Sequence, residues 1–288
     1  MVKIISDSTC DLSHELLEKY DISILPLHIL LGEEEYEDGR DITIEEIYEW
    51  SETHKETPKT SAASIGHAVE LFEPYIKKGD EIVSFSISET MSSSGNIMRL
   101  AAEQLEAEDR IHVIDSQNLS TGIGLLVVEA AVMAGDGRSA KEIVQRIGEL
   151  IPRVRASFVV DTLVYLHRGG RCSGLAAMAG GALKLHPRIQ VTDGVMQSGK
   201  KYRGSMDKVI LSYVTDMEDE LKAADKSRVF ITHSGCDREI VGQVREYLEG
   251  LDIFAEILET RAGGVVSSHC GPGTLGVLFI ASSPSRQV

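Results

Sequence analysis

Short apolar runs alternate with amphipathic stretches through the first half of the chain. Residues 2–5, 22–31, 82–87 and 110–114 are rich in β-branched and aromatic side chains and read as strands, with Pro26 marking an edge or a bulge in the second. Between them, helical periodicity runs over 12–20, 65–77, 97–103 and 123–134. Capping boxes at Thr43/Glu46 and Ser139/Glu142 open two more helices, reaching about residues 54 and 151. Repeated strand–loop–helix units of this length predict a mostly parallel sheet with helices on both faces.

After Pro152 the pattern changes. A strand over 156–160 leads to a helical stretch over 162–167 and a basic glycine turn, Arg168-Gly169-Gly170-Arg171. Residues 189–197 read as a hairpin with Asp193-Gly194 as its two-residue turn. A long helix over 205–222, a strand over 228–232, a helix over 237–248 and a strand over 254–258 follow. The chain finishes with a glycine-rich turn over 263–270, which holds His269, and an apolar strand over 274–281. Hairpin and helices together predict an α+β unit. The expected organisation is an α/β protein of two domains, 1–154 and 155–288, a size in keeping with 288 residues.

Composition narrows the function classes. The net charge of −16 argues against nucleic-acid or anionic-membrane surfaces. The amino terminus has no apolar signal region and no run reaches transmembrane length, so a cytoplasmic location without membrane anchoring is expected. Cys10, Cys172, Cys236 and Cys270 are too widely spaced for a zinc site or a disulfide framework, and no metal or cofactor is expected.

The strand over 82–87 breaks into Ser88, Thr90, Ser92, Ser93 and Ser94 just before a helix. Such a loop offers hydroxyls and free N–H groups at a positive helix end, where an anionic oxygen can be held; the competing reading is that the serines cap the helix. Similar loops occur at Thr60-Ser61 and Ser116–Thr121, and the first turn carries Ser6, Ser8 and Thr9. In an open α/β sheet these loops gather at the carboxyl ends of the strands, which favours the anion site. Gly271-Pro272-Gly273-Thr274-Leu275-Gly276 matches a dinucleotide fingerprint only in letters, since a strand follows it instead of a helix. Nucleophile elbow, Walker loop and zincin motifs are absent. Arg168–Arg171 reads as a helix end with favourable positive charge, and Lys200, Lys201 and Arg203 as a basic patch after the hairpin.

Together these motifs resemble the DegV family of bacterial fatty-acid-binding proteins. The resemblance is carried by Ser6–Leu12, Lys59-Thr60-Ser61, Ser88 with Met91-Ser92, Asp115-Ser116, Gly122 and Gly124, residues 163–171, His233-Ser234-Gly235, and Gly263 to Gly273. It implies two domains with a long-chain fatty acid between them, its tail in a buried tunnel and its carboxylate held by Thr60 and Ser92, with Ser93 and His269 in the same network. Ser61, Ser116, Phe158 and Leu166 are expected in the tunnel or behind the head-group residues. The resemblance further implies a carrier subunit and not an enzyme. It would present the carboxylate to a fatty acid kinase, which supplies ATP and metal, for conversion to an acyl phosphate, with Arg203 at the docking surface. The family's usual proline is Ala63 here, and its usual glycine is Ser93.

Burial of about 14 methylenes at about 0.8 kcal/mol each gives roughly 11 kcal/mol of gross binding energy, enough for tight binding after losses. The rival reading is a serine hydrolase or thioesterase using Ser92 and His269, oriented by Asp7 or Asp115. A small-molecule sensor without a kinase is a third.

Overall fold

The computed structural model describes residues 1–171 and 185–283; Cys172 lies outside them. The first half forms β1 (Val2–Asp7), α1 (His14–Lys19), β2 (Ile22–Leu25), β3 (His28–Leu31), β4 (Glu34–Glu37), α2 (Ile44–His54), β5 (Lys59–Ser61), α3 (Ile65–Lys77), β6 (Glu81–Ser86), α4 (Ser94–Gln104), β7 (Ile111–Asp115), α5 (Thr121–Gly135) and α6 (Ala140–Leu150). β1 and β6 are buried almost from end to end, as central strands covered on both faces must be. They sit in a parallel sheet of order β2-β1-β6-β7.

The second half forms β8 (Val154–Val159), α7 (Val164–Gly169), β9 (Leu185–Thr192), β10 (Val195–Arg203), α8 (Met206–Asp216), α9 (Glu218–Lys222), β11 (Ala224–His233), α10 (Arg238–Gly250), β12 (Glu256–Arg261), α11 (Gly264–Cys270) and β13 (Leu275–Ala281). Its mixed sheet runs β10-β9-β8-β13-β11-β12, and only β11 and β12 pair in parallel. The Asp193-Gly194 turn closes the β9–β10 hairpin as predicted.

α5 lies between the two sheets, touching β1 and β6 on one side and β8, β11 and β13 on the other. Its sequence, Thr-Gly-Ile-Gly-Leu-Leu-Val-Val-Glu-Ala-Ala, is apolar on nearly every face, and a helix of that kind must be enclosed. A single apolar cluster therefore runs from Ile4 and Phe85 through Leu126 to Phe158, Phe230 and Leu278.

Four expectations are corrected. Residues 22–31 are two strands, because Pro26 has no N–H to continue the ladder: β2 joins β1, while β3 joins a separate antiparallel sheet of order β4-β3-β5. The helix expected over 205–222 breaks at buried Met217; its apolar periodicity continues across the break, so the sequence reads as one helix. Lys59-Thr60-Ser61 is the strand β5 and not a loop. The turn expected over 263–270 is the helix α11.

Candidate functional site

A cavity of about 250 Å³ is lined by both halves of the chain. Leu27, Ile87, Met91 and Leu119 face it from the first half, and Phe158, Leu166, Val265 and Leu278 from the second. Polar atoms come from Thr60, Ser61, Ser92, Ser93, Ser120, Arg171 and His269, among others. Thr60, Arg171 and His269 also line a second cavity of about 460 Å³, whose other walls include the exposed Lys55, Glu56, Lys59 and Arg168. These three residues thus stand between the apolar interior and a predominantly basic surface depression.

Each polar residue is set by its element. Thr60 is on β5, opposite Ile29 of the middle strand β3, and its Oγ1 lies 2.7 Å from His269 Nε2. Ser92 Oγ accepts the N–H of Ser94 at 3.2 Å, so its own O–H is left to point elsewhere. Ser93 holds the N-cap position of α4 without a side-chain cap bond. Its φ of −85° is open to any residue, so the backbone there does not require glycine. Arg171 follows the left-handed Gly170 that ends α7, which makes Arg168–Arg171 a helix terminus as expected. Arg171 nevertheless also lines the cavity, its Nε donating to the carbonyl of Met91 at 3.5 Å.

His269 sits in the last turn of α11, and the start of that helix is gripped by two buried carboxylates from the first half. Asp11 accepts the N–H of Gly263 at 2.8 Å, and Asp38 accepts the N–H of Gly264 at 2.8 Å. Ser120 and Ser8 donate to these carboxylates at 2.5 and 2.7 Å. Acceptor oxygens at a helix start satisfy its free N–H groups, and here they also fix where the helix can lie. Gly264 is needed for the approach, because a Cβ there would stand 2.6 Å from Ile29 Cδ1 and 2.8 Å from Ile47 Cδ1. Burial pushes the Asp11 carboxyl up to about 8 against the opposing pull of Ser120 and Gly263, with the charge of Asp38 adding to the rise. Asp38 and Asp7 are likewise raised by burial. His269 is lowered to about 4, by burial first and then by the charge of Arg171, so its imidazole is neutral at physiological pH.

Asp38 is not singled out by the sequence, where it stands among Glu34, Glu35, Glu37 and Asp41, and Asp11 enters only within the Ser6–Leu12 motif. Ser116 is buried in the turn after β7, where its Oγ accepts the N–H of Asn118 at 3.2 Å; from this loop Ser120 lines the cavity and Ser116 does not. Lys200, Lys201 and Arg203 lie within β10 instead of after the hairpin. Lys200 is paired with Asp216 at 2.5 Å, whereas Arg203 is exposed and without an ion-pair partner among the described residues. The parts of a hydrolytic triad are not assembled. His269 Nε2 meets Thr60 and not Ser92, and its Nδ1 has no hydrogen-bond partner among the described residues. Asp7 receives Thr9, Ile87 and Ser94, while Asp115 receives the N–H groups of Glu89 and Gln117.

A family model described as DegV, a family of uncharacterised proteins, matches residues 1–282. The chain belongs to the DegV family. It is 32% identical over 279 residues to a DegV domain-containing protein of Clostridium perfringens, covering 97% of this chain and 98% of that one. Its fold is similar to a fatty-acid-binding DegV family protein from Thermus thermophilus, at 26% identity and a TM-score of 0.88, covering 97% and 99% of the two chains. It is also similar to a stearic acid-binding protein from Eubacterium ventriosum, at 31% identity and a TM-score of 0.85, covering 98% of each. No helix among the described residues of this DegV chain is long and apolar enough to cross a membrane.

Proposed function

We propose that the protein binds a long-chain fatty acid, with its tail in the apolar cavity and its carboxylate at Thr60, Ser92 and Ser93, beside His269. The observation that carries this reading is the Thr60–His269 pair at the meeting of an aliphatic cavity and a basic surface depression. A buried carboxylate is prohibitive without several strong donors. A neutral His269 that donates its Nε2–H to Thr60 Oγ1 leaves the Thr60 O–H free for a carboxylate oxygen. The Ser92 O–H, the start of α4 and the Arg171 guanidinium add to the same positive end. Fatty-acid and stearic acid binding by the Thermus and Eubacterium relatives supports the assignment.

The carboxylate would then face the surface, where a partner fatty acid kinase converts it to an acyl phosphate and Arg203 meets that partner. The chain is the carrier in this scheme, without a nucleotide site of its own. Organic extraction of the purified protein followed by mass spectrometry is expected to yield intact long-chain fatty acid. Delipidated protein that gains no heat stability from added palmitate or oleate would refute the binding step, because a ligand of the folded state must raise stability. Arg203→Ala should keep the lipid and lose most acyl-phosphate formation with the cognate kinase. A normal rate from the loaded variant would remove Arg203 from the docking surface.

A further inference from the structure

On the small sheet β4-β3-β5, whose β5 strand also carries Thr60, two histidines and a glutamate converge. His28 on β3 is directly opposite Glu37 on β4, and His67 reaches them from the first turn of α3, where its N–H is fixed by the Ser64 cap at 3.1 Å. One ligand atom from each of His28, Glu37 and His67 lies within 4.8 Å of the others. The two imidazoles approach with ring centroids 5.6 Å apart.

The surroundings leave the lone pairs of this group facing one another. His28 Nδ1 bonds to the Glu35 carboxylate, which puts the ring proton on Nδ1 and leaves Nε2 a bare acceptor; that Nε2 is buried and has no partner among the described residues. Arg40 holds Glu37 through Oε2 at 2.6 Å, and Oε1 is turned to His67 Nδ1 at 3.2 Å. That contact lacks hydrogen-bond geometry, so His67 Nδ1 is also a buried atom without a donor or acceptor partner. Two ligand atoms at zinc distances of about 2.0–2.1 Å in a tetrahedral shell are about 3.3 Å apart, close to the 3.2 Å between His67 Nδ1 and Glu37 Oε1.

We propose that His28 Nε2, His67 Nδ1 and Glu37 Oε1 form a binding site for a divalent transition cation of the zinc type. Two imidazoles and a carboxylate suit zinc, cobalt or nickel and do not suit calcium or magnesium, which take oxygen shells. Glu35 is the carboxylate behind the His28 ligand, the arrangement that orients metal-bound histidines and raises their basicity. A fourth position is left for water, on the side where His67 is partly exposed. A bound cation would clasp the β3–β4 hairpin to the start of α3 and so bracket the β5 strand between them.

The test is a titration of the full-length, chelator-treated protein with Co2+. One equivalent retained after desalting, with the visible absorption of a tetrahedral nitrogen–oxygen site and no thiolate charge-transfer band, is expected, and Zn2+ should displace it. His67→Ala, on the exposed side of the cluster, should abolish this band with the circular dichroism unchanged. Glu35→Gln should weaken binding by about 10-fold to 100-fold. No retained cobalt, a thiolate band that places the metal on cysteine, or a spectrum untouched by His67→Ala would each overturn the site.

Discussion

Ser8, Thr9 and Ser94 donate to buried carboxylates, whereas Thr60, Ser92 and Ser93 line the apolar cavity. Both groups stand in serine- and threonine-rich stretches at strand ends. The difference lies in what faces them. Asp7 collects the hydroxyls of Thr9 and Ser94 and the N–H groups of Thr9 and Ile87, and Asp38 collects Ser8, so the first group is engaged internally. Near Thr60 and Ser92 there is a neutral imidazole, a helix start and an arginine, and among the described residues no carboxylate accepts a hydrogen bond from either hydroxyl. A hydroxyl-rich stretch in this fold is free to take an outside anion only where the protein does not supply the acceptor itself.

The largest expected effect falls on the internally engaged group. Asp7→Ala would leave the Ile87 N–H and the Ser94 hydroxyl buried without an acceptor, at a cost of about 3 kcal/mol or more. Urea unfolding measures it, and a loss below about 1 kcal/mol would erase the distinction between the two groups.

A pH series tests the same side. The Asp11 carboxyl, at about 8 in the folded chain, titrates near 3.9 when unfolded, so over that interval the folded state holds a proton the unfolded state has lost. Its contribution must therefore fall as pH rises from about 4 to about 8 and stay level above that. Subtracting the Asp11→Asn stability curve from that of the wild type should leave this descending step. The opposite slope from His269, whose depressed value removes stability as pH falls below about 6.5, cancels in the difference. A flat difference would show Asp11 ionised throughout.

On the cavity side, Thr60→Val and Ser92→Ala should each weaken fatty-acid binding by about 1–3 kcal/mol while changing the stability of lipid-free protein little. Calorimetric titration of delipidated variants reads the first quantity and thermal unfolding the second. Equal losses in both would move these hydroxyls to the structural group. The smallest effect is the most local. A Cβ on Gly169 would overlap His269 Nδ1, so Gly169→Ala should push the imidazole from Thr60 and weaken binding by about 1 kcal/mol. Unchanged affinity would mean that His269 does not support Thr60.

The parallel first sheet and the β9–β10 hairpin were legible because apolar runs, capping boxes and an Asp-Gly turn are local signals. α11 was not. Gly-Val-Val-Ser-Ser-His-Cys contains glycine and β-branched residues of low helix propensity, and the helix rests on Asp11 and Asp38, more than 200 residues away. The meeting of Thr60 and His269, 209 positions apart, left no trace in spacing; family resemblance brought both residues forward. Ser116 and Ser120 could not be told apart from sequence, since both are hydroxyls of one loop and only the turn geometry decides which faces inward.

The order of the second sheet has a consequence for synthesis. β13 lies between β8 and β11 but is made after every other strand of that sheet. A nascent chain that has emerged only as far as Cys270 holds β8–β9–β10 and β11–β12 as two separate pieces, with the outer side of α5 lacking part of its cover. Until β13 threads between them, both pieces present open strand edges to other ribosome-bound copies, the condition under which strands pair with the wrong chain.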